Sequence, residues 1–274
     1  MAPYFSIVIP TLNEEGYVSN ILKDLKKQKE KNFETIIVDA SSSDKTREKA
    51  LQFGSILSIR LFQVSKKNVA YQRNYGALKA KGSYLVFLDA DSGISPSFTK
   101  NLKKLIVKKK GLLFIPYVNP EEKYPQVAVV FNLINLLVEL SQSFNKPFSS
   151  GGVMFVEKNF FINIGGFDEK LFLGEDHNLV QKALSWGIRA KFLKNIKVKF
   201  SLRRMKKEGQ LTTFYKFITS SIYILFKGDI KNKIYNYPMG GHPYKLINNE
   251  VRTVKPIKFY LKQIENFFVK YLES

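Results

Sequence analysis

The chain of 274 residues contains no cysteine, which excludes disulfide bonds and thiolate metal sites and leaves the redox compartment open. Acidic residues are also scarce, because 23 Asp and Glu stand against 44 Lys and Arg, giving a formal net charge of +21. Such an excess predicts an anionic partner, which is a nucleotide, a nucleic acid or an acidic membrane surface. Charge by itself does not choose among these three.

Long apolar runs are missing too. The two longest nearly uncharged segments, 127–140 and 214–226, are shorter than the roughly 20 residues that span a bilayer, so we expect core helices or interfacial helices. The first residues carry no basic leader and lead directly into a strand, so we expect no cleaved signal peptide and a cytoplasmic location. The apolar fraction of 45% excludes disorder over most of the chain.

Short apolar segments alternate with amphipathic segments over the first 115 residues. The apolar segments predict strands, and the amphipathic segments predict helices because their apolar residues repeat at helical spacing. The predicted strands are 5–9, 35–38, 56–64, 84–88 and 112–115, and the predicted helices are 17–28, 45–53, 69–80 and 97–109. This alternation predicts an α/β fold with a mostly parallel sheet, whose ligands bind beyond the carboxyl ends of the strands.

Two carboxylates, Asp89 and Asp91, follow directly on the apolar segment 84–88. A buried strand has little reason to end in paired charge unless something offsets it, and hard carboxylate oxygens suit a divalent cation that bridges to a phosphate. The alternative is a loop whose acids are solvated or cap the next helix. The position after an apolar strand favours the metal site.

Polar residues also follow the first two predicted strands. The segment from Pro10 to Glu15 is either an ordinary turn in which Asn13 caps the first helix, or a loop that holds a nucleotide base and ribose. Asp39 is either a cap or a partner for a base edge. Arg73 belongs to a solvated basic face or meets a diphosphate.

Glu175 and Asp176 open a predicted helix that runs to about Trp186. The helix dipole stabilises an ionised carboxylate at this position, which is the structural explanation for finding one there. An ionised carboxylate facing a cleft also accepts a proton from an attacking hydroxyl. We expect Asp176 to act as the general base and Glu175 to orient it.

Four ordered motifs resemble glycosyltransferase family 2, whose members are inverting enzymes with the GT-A fold. The motifs are Ile7–Glu15, Ile36–Thr46, Arg73–Gly82 with Phe87–Asp91, and Gly165–Glu169 with Gly174–Asp176. The resemblance covers residues 4 to 200 and implies a Rossmann-like, mostly parallel sheet with helices on both faces. It also suggests a membrane-associated member of the archaeal or bacterial type.

Roles for individual residues follow from the resemblance. It implies that Asp89 and Asp91 hold Mg²⁺ or Mn²⁺ on the donor diphosphate, with Asp91 the more direct ligand. It implies that Asp176 deprotonates the acceptor hydroxyl for in-line attack at the anomeric carbon. The nucleotide pocket would be lined by Pro10, Thr11, Asn13, Glu14 and Asp39, with Arg73 near the phosphates.

Two positions outside these motifs are further candidates. His242 lies between Gly240, Gly241 and a proline, so it is either a third metal ligand in a tight loop or an ordinary surface turn. Arg204, in a basic segment from 194 to 207, either reaches the donor diphosphate or belongs to a solvated edge.

The last part of the chain is basic and aromatic. We expect a GT-A catalytic domain at 1–205 and a C-terminal helical region at 206–274, with an amphipathic helix that begins at Pro256. That helix either docks on the catalytic domain or lies with 214–226 in an anionic membrane interface. We favour the membrane, which implies a peripheral location on the inner face of the cell membrane.

The leading hypothesis is a metal-dependent inverting glycosyltransferase. It moves a hexose of the mannose or glucose type from a GDP- or UDP-sugar to a polyprenyl phosphate or lipid-linked glycan. A sugar nucleotidyltransferase is the first alternative, but the segment 10–16 lacks the basic, glycine-rich loop that such enzymes carry. A nonenzymatic protein that uses its charge to bind membrane or nucleic acid is the second, and no RNA-binding signature supports nucleic acid.

Overall fold

The computed structural model describes residues 2–121, 125–237 and 240–241, together with four later positions, Phe259, Lys262, Gln263 and Asn266. The candidate metal ligand His242 lies outside the described residues. The predicted helix that begins at Pro256 also lies outside the described residues, apart from those four positions.

The described residues form eight strands and nine helices. The strands are β1 (Phe5–Thr11), β2 (Phe33–Asp39), β3 (Ile59–Gln63), β4 (Tyr84–Phe87), β5 (Gly93–Ile94), β6 (Leu113–Pro120), β7 (Met154–Glu157) and β8 (Lys191–Phe200). The helices are α1 (Val18–Lys26), α2 (Thr46–Leu51), α3 (Val69–Lys79), α4 (Phe98–Lys109), α5 (Pro125–Ser141), α6 (Lys158–Asn163), α7 (Glu175–Ser185), α8 (Arg203–Glu208) and α9 (Gln210–Phe226). Every element predicted for the first 115 residues is present, although β3 begins at Ile59 rather than at residue 56.

One sheet contains all eight strands in the order β3-β2-β1-β4-β7-β6-β8-β5. β1 is parallel to β2 and β4, whereas β7 runs antiparallel to its neighbours β4 and β6. The chain first moves from β1 outward to β3 and then returns to place β4 on the other side of β1. Strand order therefore reverses beside β1, which is where ligands bind in sheets of this kind.

Alternate residues of β1 contribute to two separate apolar cores, one on each face of the sheet. Ile7 and Ile9 pack with residues of α1 and α4, whereas Val8 packs with residues of α3 and α7. On the α3 side, an added Cβ at Gly76 would lie 2.4 Å from Cγ1 of Val8, so only glycine lets this helix approach the strand so closely. Gly76 thereby fixes the distance between α3 and the sheet.

The chain divides into two compact units, the first formed by Met1–Glu169 and Glu175–Ser201 and the second by Lys170–Gly174 and Leu202–Ser274. All strands belong to the first unit, whereas α8 and α9 belong to the second. Within the second unit, Lys216 forms an ion pair of 2.7 Å with Glu208. Among the described residues, no helix has both the length and the apolar character needed to cross a bilayer.

Candidate active site

Three polar segments meet at one edge of the sheet, beyond the carboxyl ends of β1, β2 and β4. Thr11 and Asp39 are the last residues of β1 and β2 and pair in register. Asp89 follows β4 after Phe87 and Leu88, both of which are fully buried. Because neighbouring parallel strands end at the same edge, the structure brings the ends of all three motifs together.

Asp39 is completely buried, and the surrounding loops hold its carboxylate. It accepts hydrogen bonds from the Thr11 hydroxyl at 2.9 Å, from the Ser42 amide at 2.9 Å and from the Ser42 hydroxyl. The Nε atom of Arg47 lies 3.7 Å from the same carboxylate. A nucleotide base that meets Asp39 would therefore meet an acid already fixed in place.

The loop after β1 is tied to the loop after β2. Asn13 has a left-handed φ of 54°, and its side-chain oxygen accepts a hydrogen bond of 2.8 Å from the Ser43 amide. The Glu14 amide donates to the Thr46 hydroxyl at 2.7 Å. The capping interpretation of Asn13 is wrong, because α1 begins only at Val18 and Asn13 bonds to a different loop.

Arg73 joins the carboxylate that follows β4 to the one that begins α7. Its guanidinium donates from Nη2 to Oδ1 of Asp89 and from Nη1 to Oε1 of Glu175, each over 2.7 Å. The Arg73 side chain is only 3% exposed, so both charge-assisted bonds lie in a region of low dielectric constant. Both Nη atoms are thus occupied by carboxylates, and the contact of Arg73 with a diphosphate stays a prediction.

Burial and charge act in opposite directions at this guanidinium. Burial works to lower the pKa of Arg73, but the carboxylates of Asp89 and Glu175 outweigh it and raise that pKa. Burial also raises the pKa of Glu175, with the charge of Asp176 acting in the same direction and Arg73 offsetting only part of the effect. Arg73 is therefore a permanent cation, while Glu175 accepts a proton more readily than an ordinary glutamate.

Gln72, which the sequence analysis missed, closes the gap between the ends of β1 and β2. Its buried side-chain amide donates to the carbonyl oxygens of Thr11 at 2.8 Å and Val38 at 2.7 Å. Gly76 could have pointed to the role of Gln72. A glycine inside a helix marks close packing, and Gln72 lies one turn before Gly76 on the same face of α3.

Asn74 was also missed, and it holds the glycine-rich loop before α7. Its side-chain nitrogen donates to the Phe167 carbonyl, and its side-chain oxygen accepts from the Phe167 amide, both at 2.9 Å. Gly166, with φ of 58°, lies so close that an added Cβ would be 2.7 Å from Oδ1 of Asn74. Consecutive residues of α3 thus fix the strand ends, the carboxylates and this loop.

Gly151 and Gly152 bring the chain close to both acidic centres. The Gly151 amide donates to Oδ2 of Asp176 over 3.1 Å. A Cβ at Gly152 would lie 1.8 Å from Nη2 of Arg73, so the guanidinium occupies the space that any other residue would fill. The sequence analysis missed both roles.

The first turn of α7 presents Asp176 in a fixed orientation. Asp176 is buried, and the Gly151 amide holds one of its oxygens. The next residue, His177, accepts a hydrogen bond of 2.9 Å from the Ser149 amide at Nδ1, so its proton is assigned to Nε2. The segment 149–151 is thereby bonded to two successive residues of α7.

The two carboxylates after β4 fit a divalent cation that takes part of its coordination from a ligand. Asp89 keeps 31% of its side chain exposed while its Oδ1 atom pairs with Arg73, and Asp91 is half-buried. Both supply the hard oxygen atoms that Mg²⁺ and Mn²⁺ prefer. Within the described residues, no three acidic or histidine side chains group closely enough to hold a metal by themselves. A cation held by Asp89 and Asp91 would need further ligands, such as phosphate oxygens or water.

Two sequence candidates remain, Arg204 and His242. Arg204 belongs to the second unit, where its guanidinium lies 3.6 Å from the centre of the Tyr237 ring. His242 falls outside the described residues, so its role as a third metal ligand stays a prediction.

Comparison with known proteins assigns a family to this arrangement. The model described as "Glycosyl transferase family 2" matches residues 6–165. An uncharacterized glycosyltransferase of Haemophilus influenzae is 27% identical over 185 residues, which are 65% of this chain and 61% of the relative. A dolichyl N-acetyl-alpha-D-glucosaminyl phosphate 3-beta-D-2,3-diacetamido-2,3-dideoxy-beta-D-glucuronosyltransferase of Methanococcus voltae is 28% identical over 180 residues, or 61% of this chain and 54% of the relative.

The fold has solved counterparts. The mannosyltransferase PcManGT from Pyrobaculum calidifontis, solved with GDP-Man and Mn²⁺, superposes with a TM-score of 0.61 at 19% identity over 80% of this chain and 65% of the other. The chain spans about six-tenths of the length of the first curated relatives it matches. The fold predicted from the sequence is confirmed as a GT-A fold. The chain belongs to glycosyltransferase family 2.

Proposed function

We propose that the chain is a metal-dependent inverting glycosyltransferase that moves a hexose from a nucleotide diphosphate sugar to a polyprenyl phosphate or lipid-linked glycan. The observation that carries the proposal is the bridge from Asp89 through Arg73 to Glu175, with Asp176 as the next residue. The buried guanidinium of Arg73 thus connects Asp89, which is expected near the leaving group, to the turn of α7 that carries the acids expected near the acceptor. Such an arrangement suits a displacement in which bond formation and bond cleavage occur on opposite sides of one carbon.

The donor would bind along the carboxyl edge of β1, β2 and β4. Asp39 and the linked loops after β1 and β2 offer an ordered pocket for base and ribose, including the backbone from Pro10 to Glu14. Asp89 and Asp91 would hold Mg²⁺ or Mn²⁺ against the diphosphate, and the cation would supply charge neutralisation for the departing nucleoside diphosphate. Arg73 keeps Asp89 oriented toward that role.

Where the acceptor is a lipid-linked glycan, Asp176 would take the proton of the attacking hydroxyl, whereas the oxygen of a polyprenyl phosphate is already ionised and would attack without a base. The acceptor oxygen then forms its bond to the anomeric carbon, and the bond from that carbon to the diphosphate oxygen breaks, with its electron pair leaving on the diphosphate. The Gly151 amide fixes one oxygen of Asp176. Glu175, held by Arg73, orients the first turn of α7 and thereby the base.

The acceptor and location are the less direct part of the proposal. The relative from Methanococcus voltae has a dolichyl N-acetyl-alpha-D-glucosaminyl phosphate, which is a lipid-linked sugar, in its name, and the chain here has a net charge of +21. Both support a lipid-linked acceptor and a peripheral position on the inner face of the membrane. We propose residues 1–205 as the catalytic part and 206–274 as a helical part that contributes to membrane contact.

A donor panel tests the activity. Purified protein with Mn²⁺ is incubated with GDP- and UDP-sugars and a short polyprenyl phosphate, and the release of nucleoside diphosphate is followed together with the anomeric configuration of the product. We expect one donor to be consumed with inversion, and loss of activity on chelation. Pyrophosphate release from a nucleoside triphosphate would instead indicate a nucleotidyltransferase.

Two variants and a control assign the roles. Asp91→Ala should remove metal-dependent turnover, and Asp176→Asn should lower kcat on a lipid-linked glycan acceptor by at least about 100-fold while nucleotide binding persists. Glu48→Gln removes an exposed carboxylate on α2 and should leave turnover unchanged. Turnover of Asp91→Ala at the wild-type level contradicts the metal role of that residue.

A further inference from the structure

The helix α5 exposes apolar side chains along one face. The residues Val129, Leu133, Leu136, Leu137 and Leu140, here called the α5 stripe, are each at least half exposed. Their spacing of i, i+4, i+7, i+8 and i+11 places them on one side of an α-helix. Phe144, 66% exposed, follows just beyond the end of the helix. A contiguous exposed apolar patch of this kind marks an interaction surface.

The opposite face of α5 is anchored, which fixes the direction in which the stripe points. Val127 and Val138 are buried. The side chain of Asn135 accepts from the Val118 amide at 2.9 Å and donates to the Val118 carbonyl at 2.7 Å, so the helix is bonded to β6. Rotating the stripe inward would break both bonds and expose the valines, so the stripe stays outward.

Lysines of β8 lie along one side of the stripe. Glu139, the one charged residue in the α5 sequence, pairs with Lys194 at 2.9 Å. Lys197 lies 5.9 Å from the centre of the Tyr117 ring, and the Tyr117 hydroxyl donates to Asn132 at 2.6 Å. Asn132 and Glu139 are two helical turns apart and therefore lie on the same side of α5.

We propose that the α5 stripe inserts into the interfacial region of an anionic bilayer, with Lys194 and Lys197 contacting the headgroups. An apolar face bordered by lysines is the composition of helices that lie in a membrane interface. A second copy of the chain fits the same face less well, because pairing two stripes would bring the lysines of two chains, each with a net charge of +21, toward one another.

The inference deepens the proposed function by adding a membrane contact in the first unit, apart from the C-terminal helices expected from the sequence. The biological purpose of this membrane contact rests on the proposed lipid-linked acceptor, whereas the contact itself does not. Binding to vesicles is measured without any sugar transfer, so the two proposals fail independently.

Vesicle flotation tests the proposal with the full chain. Vesicles contain phosphatidylcholine alone or equal parts phosphatidylcholine and phosphatidylglycerol. We expect the wild type to float with the anionic vesicles, and Leu136→Glu combined with Leu140→Glu to lower the partition coefficient at least about tenfold, because two inserted side chains are replaced by charges. Lys194→Gln combined with Lys197→Gln should weaken the preference for anionic vesicles.

The matched control replaces exposed apolar residues of other helices by the same acid, Leu51→Glu in α2 combined with Val107→Glu in α4. This control adds the same charge and should float like the wild type. Equal loss of flotation in both double variants would mean that only net charge matters and would overturn the proposal. Light scattering that shows a wild-type dimer dissociated by the α5 variant would overturn it in favour of a second copy.

Discussion

Helices α3 and α5 depart from the usual distribution of polar and apolar residues in opposite ways. α3 buries the polar side chains of Gln72 and Arg73 against the sheet, whereas α5 exposes a row of apolar side chains. Both of these α3 side chains have hydrogen-bond partners within the first unit, while the α5 stripe points outward. The buried polar side chains of α3 therefore organise the candidate site, whereas the exposed apolar face of α5 is open to a partner.

Removing the buried charge of Arg73 from α3 should have the largest effect on stability. Arg73→Met should lower the free energy of unfolding by about 3–5 kcal/mol, because two mostly buried carboxylates lose their counter-charge. Urea denaturation measures the loss. Lys103→Met, which removes an ordinary surface pair with Glu30, should cost less than about 1 kcal/mol. Similar losses in the two variants would show that the bridge has no special role.

Filling the space beside Arg73 should act next most strongly. Gly152→Ala places a Cβ where the guanidinium now lies, so we expect a loss of about 1–3 kcal/mol from overpacking together with reduced turnover. Thermal unfolding and nucleoside diphosphate release are the measurements. Gly16→Ala is the matched control, since an added Cβ there meets no atom within 4 Å. Wild-type stability of Gly152→Ala would contradict the tight contact.

Gln72 is a buried but uncharged side chain of α3, so its removal should lower the free energy of unfolding by a smaller amount. Gln72→Leu removes two buried hydrogen bonds, to the carbonyl groups of Thr11 and Val38, and we expect a cost of about 1–3 kcal/mol although the Thr11 carbonyl keeps the Ala40 amide as a donor at 2.9 Å. Gln52→Leu, at an exposed position, should change the free energy of unfolding by about 0.5 kcal/mol or less. Chemical denaturation of both proteins decides between these expectations.

The carboxylate of Glu34, in β2, predicts that the free energy of unfolding depends on pH. Burial works to raise the pKa of Glu34, but hydrogen bonds from Ser6, the Lys81 amide and Arg60, together with the charge of Arg60, outweigh it and hold that pKa below its ordinary value. The stability it contributes is therefore complete above about pH 4.3 and is lost as the pH falls through the lowered pKa. Glu34→Gln should flatten the unfolding free energy over that acidic range, and an unchanged slope would contradict this.

Changing the stripe should matter least for folding. Leu136→Gln should alter the free energy of unfolding by about 0.5 kcal/mol or less, because the side chain is half exposed in the folded chain. Val138→Ala, on the buried face of the same helix, should cost about 0.5–2 kcal/mol. A large loss for Leu136→Gln would mean that the stripe packs against another part of the chain.

The sequence predicted those parts of the site whose signal is local. An apolar strand that ends in acid identified Asp89, and alternation of strands and helices placed it at the same edge of the sheet as Asp39, because parallel strands end at one edge. Glu175 as the partner of Arg73 was not predictable, since the two residues lie 102 positions apart. Their pairing depends on how the antiparallel strand β7 returns the chain. The capping interpretation of Asn13 was wrong for a related reason, because its partner lies thirty residues away in the sequence.

The bridge at Arg73 also shapes the local electrostatic potential. Four carboxylates, Asp89, Asp91, Glu175 and Asp176, belong to this neighbourhood, and Arg73 pairs with two of them, on a protein with a net charge of +21. The long-range field gathers anions such as a nucleotide diphosphate, while the short-range field selects cations. Donor and metal would therefore enter as a neutralising pair, each lowering the electrostatic barrier for the other.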